Sequence, residues 1–129
     1  MLKMALNRNY QFGLLYLIHL LINADGVIQE SEELALNKVK EKENISDASF
    51  EEFKREVVLK KEREIYQKGI DLINLCTDEE KINAFVHLYK ISEADGNVHV
   101  KEVRLLLYSI KMAHIEFDDV VKRANQIHV

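Results

Sequence analysis

Apolar residues recur along this chain at helical spacing, and no stretch alternates at period two for long enough to suggest a strand. From about Tyr10 to Asn23 the positions are apolar almost all round, as expected of a central buried helix. A second helix is predicted over about Glu30 to Glu43. A third begins near Ser49, which forms a possible capping box with Glu52 while Ser46 is a rival cap, and it buries Phe50, Phe53 and Val57. A fourth runs from about Glu62 to Leu75 and buries Ile65, Ile70 and Ile73; periodicity leaves open whether it is continuous with the third across "KKER". Thr77 and Glu80 form a better capping box, opening a fifth helix through about Ser92 whose inner face is Ile82, Phe85, Val86, Tyr89 and Ile91. The sixth spans about Val100 to Ala113 and the seventh about Phe117 to Ile127. The expected fold is all-α, a compact bundle of about seven helices.

Laid on itself so that Asp25 falls on Asp95, the chain sets "NADGVIQESEELAL" over "EADGNVHVKEVRLL". At this offset Ala24 pairs with Ala94, Gly26 with Gly96, Glu32 with Glu102 and Leu36 with Leu106. Ile28 falls on Val98, and farther on Ile45 falls on Ile115. Two copies of one helix–turn–helix joint therefore organise the bundle.

Composition fits this picture. A chain of 129 residues suits a single domain over 1–129, and the absence of proline with only four glycines favours long helices and short loops. A net charge of −4 argues against nucleic acid as a partner. The basic run from Lys54 to Arg63 is interleaved with Glu56, Glu62 and Glu64, which makes it a solvated helix face. The lone Cys76 allows neither an intramolecular disulfide nor a cysteine-based zinc site; its apolar neighbours suggest a buried thiol in a reducing, cytoplasmic compartment. The apolar run from Phe12 to Ile22 follows Lys3 and Arg8 as a signal peptide's would, but it is too short to span a bilayer and no small-residue cleavage site follows. No nucleophilic arrangement and no glycine-rich phosphate loop is present, so an enzyme is not expected.

The chemistry lies in the joints. Asp25, Gly26, Ile28 and Glu32 occupy loop positions five, six, eight and twelve of a calcium-binding EF-hand, but position one falls on Leu21, and on Ile91 in the second copy, both wanted in the core. One joint alone offers too few oxygens. Together, Asp25, Glu32, Asp95 and Glu102 would suit calcium or magnesium, and His99 would tilt the choice toward a transition metal such as zinc or manganese. The alternative is structural. Gly26 and Gly96 would end one helix, while Glu32 and Glu102 favour the positive end of the next. Asp25 and Asp95 face the negative end of the preceding helix, a cost of about a few tenths of a kcal/mol unless an amide or a cation meets each carboxylate.

"ADGVIQESEE" and "EADGNVHVKEVRLL", as paired joints in an all-α domain of this length, resemble the TerB-like domain of tellurite-resistance proteins, over roughly Tyr10 to Ala124. The resemblance implies a bacterial source and a stress-response or assembly role. It also implies a divalent cation held by acidic residues, whose matching positions here are Asp25, Glu32, Asp95 and Glu102. The second joint departs from the more acidic members: Val103 stands opposite Glu33, and Lys101 lowers the charge beside Glu102. Two non-enzymatic readings follow. One is a TerB-like domain binding a divalent cation. The other is an interaction module with purely structural joints and an exposed apolar face that docks another protein.

Overall fold

Every residue from Phe12 to Leu21 is buried in the computed structural model, which describes the backbone of residues 2–22, 30–94 and 100–126 and the side chains of 8–21, 33–91, 104 and 106–126. These positions belong to α1 (Leu2–Ile22), the axis of the bundle. Around it stand α2 (Glu30–Lys42), α3 (Asp47–Val57), α4 (Glu62–Asn74), α5 (Asp78–Ala94) and α6 (Val100–Met112), all of which α1 touches. The last helix, α7 (Phe117–Gln126), packs on α5 and α6. Among the described residues there is no strand, and no helix is long and apolar enough to cross a membrane. The expected all-α bundle is what forms.

Its most extensive contact is between α1 and α4, and two glycines make it possible. A Cβ on Gly13 would stand 2.8 Å from Ile73 Cγ1 and 3.2 Å from the carbonyl oxygen of Gly69. One on Gly69 would stand 3.0 Å from Leu17 Cδ2. The missing side chains let the two backbones approach, and Leu17, Ile70 and Ile73 fill the flanks. Phe53 meets Tyr16 edge to face at 5.6 Å, so α3 closes on the same axis.

The internal repeat extends beyond the joints that revealed it. Helices α2 and α6 begin and end at equivalent positions, Glu30–Lys42 and Val100–Met112, and α3 and α7 begin at the equivalent Asp47 and Phe117. Both α2 and α6 end in a Schellman motif. In the first, Ile45 N–H donates to Lys40 O at 2.9 Å and Asn44 N–H to Glu41 O at 3.4 Å; in the second, Ile115 N–H donates to Ile110 O at 3.2 Å and His114 N–H to Lys111 O at 3.0 Å. The left-handed residue of each is at the same place, Asn44 with φ 54° and His114 with φ 63°. Ile45 and Phe50, like Ile115 and Val120, are buried at the spacing of a hydrophobic staple across the next helix start. Helix α4 lies between the two halves and has no counterpart.

One boundary differs from the sequence reading, and two that it left open are decided by the structure. Helix α1 starts at Leu2 rather than near Tyr10, because Leu2 to Leu6 are good helix formers that extend the helix past its apolar window. Ser46 rather than Ser49 caps α3, its hydroxyl accepting from Ser49 N–H at 3.1 Å. The chain breaks before "ER": α3 ends at Val57, and Glu64 accepts from Lys61 N–H at 2.8 Å to start α4. The Thr77 box forms as expected, with Glu80 N–H donating to Thr77 Oγ1 and Thr77 N–H to Glu80 Oε1.

Two expectations follow. Gly13→Ala gains about 1 kcal/mol of helix propensity but overpacks the α1–α4 contact at a cost of about 1–3 kcal/mol. It should therefore lower the melting temperature, and a Gly13→Ala/Ile73→Ala double mutant should lose less than the two singles summed. His114→Gly removes a β-carbon from the left-handed region and should raise stability by about 0.5–1 kcal/mol, whereas Asn44→Gly should change little, since asparagine tolerates that region. Thermal melts of both pairs check this.

Candidate functional site

The four carboxylates singled out in the sequence lie at or beyond the edge of what the structure describes. Asp25 and Asp95, with His99, are outside the described residues. Glu32 and Glu102 fall at equivalent places in the first turns of α2 and α6, as expected, but their side chains are outside the described set. Among the described residues no group of three or more His, Cys, Asp or Glu side chains is placed to hold a metal.

The polar cluster the structure does build centres on Glu43, immediately after α2. Its Oε2 accepts from the Tyr10 hydroxyl at 2.9 Å, from Asn83 Nδ2 at 3.1 Å, and meets His87 Nε2 at 2.7 Å. Asn83 Nδ2 also donates to the Tyr10 oxygen at 2.7 Å. Residues from α1 and α5 thus converge on one carboxylate oxygen at the end of α2. Burial works against the ionised form of Glu43, but the hydrogen bonds from His87, Tyr10 and Asn83 outweigh it, and the group ionises below the ordinary glutamate value. An ionised carboxylate only accepts, so His87 carries its proton on Nε2. Desolvation, with the Glu43 charge second, pushes the Tyr10 hydroxyl far above the ordinary tyrosine range. A carboxylate so placed has little basicity left for proton transfer. The cluster is a lock between the halves.

The main chain of the same residue is held too, and this hold is duplicated. Gln11 Nε2 donates to Glu43 O at 3.2 Å, and at the equivalent positions of the second half Lys81 Nζ donates to Ala113 O at 3.1 Å. In each half a side chain of the long buried helix reaches the carbonyl that follows the second helix. Lys81 is a buried lysine whose charge meets the negative end of the α6 dipole, so the placement is electrostatically favourable.

Other candidates resolve simply. Cys76 is half-buried, Sγ donates to Leu72 O at 3.4 Å, and burial followed by the Glu80 charge pushes the thiol up to about 11, which makes it unreactive near neutrality. His19 is buried in the core of α1 and His87 is engaged by Glu43. Lys54, in the basic run, pairs with Glu51 at 3.2 Å and Glu33 at 3.4 Å, while Arg55, Lys61 and Arg63 are exposed. The chain matches no protein-family model, no curated protein and no solved structure.

Because the folded value of Glu43 is depressed, its ionisation stabilises the fold above the ordinary value of 4.5, and that stability is lost as pH falls through the lower folded value. Glu43→Gln should therefore cost about 1–3 kcal/mol at neutral pH. The gap to the unsubstituted protein should narrow as pH falls below 4.5, in urea titrations at a series of pH values. A gap independent of pH would show that the carboxylate charge does not lock the halves.

Proposed function

We propose that this chain is a non-enzymatic TerB-like domain, a cytoplasmic stress-response module that holds a divalent cation between its two A-D-G joints. The observation that carries the reading is the depth of the repeat: matched bounds of α2 and α6, matched Schellman turns and matched carbonyl clamps in the two halves. The two joint sequences thus stand before helices that begin at equivalent residues, Glu30 and Val100. Asp25 and Asp95 hold equivalent places in the two joint sequences, and Glu32 and Glu102 add carboxylates from the first turns of α2 and α6. Four carboxylates with backbone carbonyls and water make a hard-oxygen set, suited to calcium or magnesium ahead of zinc or manganese.

A ligand that binds only the native state raises stability by about 2.7 kcal/mol at a hundredfold excess over its Kd. Titration with Ca²⁺, Mg²⁺, Mn²⁺ and Zn²⁺ should raise the melting temperature with at least one ion, calcium or magnesium first. Asp25→Asn and Glu102→Gln should abolish the rise. No shift with any of the four ions would leave the aspartates as caps of neighbouring amides and end the cation reading.

A further inference from the structure

We draw no further inference here: the strongest candidate, the exposed apolar patch of Leu107, Tyr108 and Met112 on the outer face of α6, is edged by acidic and basic side chains alike, and nothing in the structure shows what covers it.

Discussion

The close approach of α1 and α4 across Gly13 and Gly69 is the contact on which the rest of the bundle depends. From Phe12 to Leu21 helix α1 is buried on every side, and a stretch of that kind has no stable place except between other helices. Helix α4 covers one side because the glycines bring its backbone close; α5, α2, α3 and α6 share the remainder. Moving α4 outward would leave Leu17 and Ile73 facing a gap, and a core at native packing density has no slack to absorb it. The non-repeated helix is thus the one that lets two similar halves share a single axis.

That sharing bears on where the two halves are alike and where they differ. The backbone devices are kept: left-handed residues, staples and clamps recur at equivalent positions of the two halves. The side chains that meet the other half differ. Glu43 is a carboxylate engaged by α1 and α5, whereas the equivalent Ala113 is small and buried, its carbonyl taken by Lys81. One turn thus carries an electrostatic lock and the other is part of the apolar core. Arg123 and Glu79 add a two-pronged ion pair between α7 and α5, at 2.7 and 3.1 Å, and its exposure limits what it contributes.

Most of the fold was legible in the sequence because helical periodicity is a local signal. Phe50, Phe53, Val57, Ile65, Ile70 and Ile73 are all buried as their spacing requires, and the Thr77 box forms. Where two caps competed, the sequence could not choose. Ser46 prevails because it places Ile45 and Phe50 on the core side of the turn, a tertiary condition that no propensity carries. Of the carboxylates expected at the joints, the helix positions of Glu32 and Glu102 agree, while Asp25 and Asp95 fall outside the described residues. The Glu43 cluster was missed, although its signal was present. An acidic side chain just past a helix C-terminus needs a compensating donor wherever it occurs, and Glu43 stands in that position as Asp25 and Asp95 were expected to. What the sequence could not supply was the donor set, since Tyr10, Asn83 and His87 come from helices far apart in the chain.

The turns that end α2 and α6 also bear on how the chain folds. Each is closed by hydrogen bonds between near neighbours in sequence, and the chain contains no proline and a single cysteine. Neither prolyl isomerisation nor disulfide exchange within the chain stands between the unfolded ensemble and the bundle, so the usual sources of slow refolding phases are absent. What remains is helix formation, turn closure and the docking of preformed hairpins around α1. Those are microsecond-to-millisecond events, and their slowest step is set by the search that brings α4 and α5 to an axis begun many residues earlier.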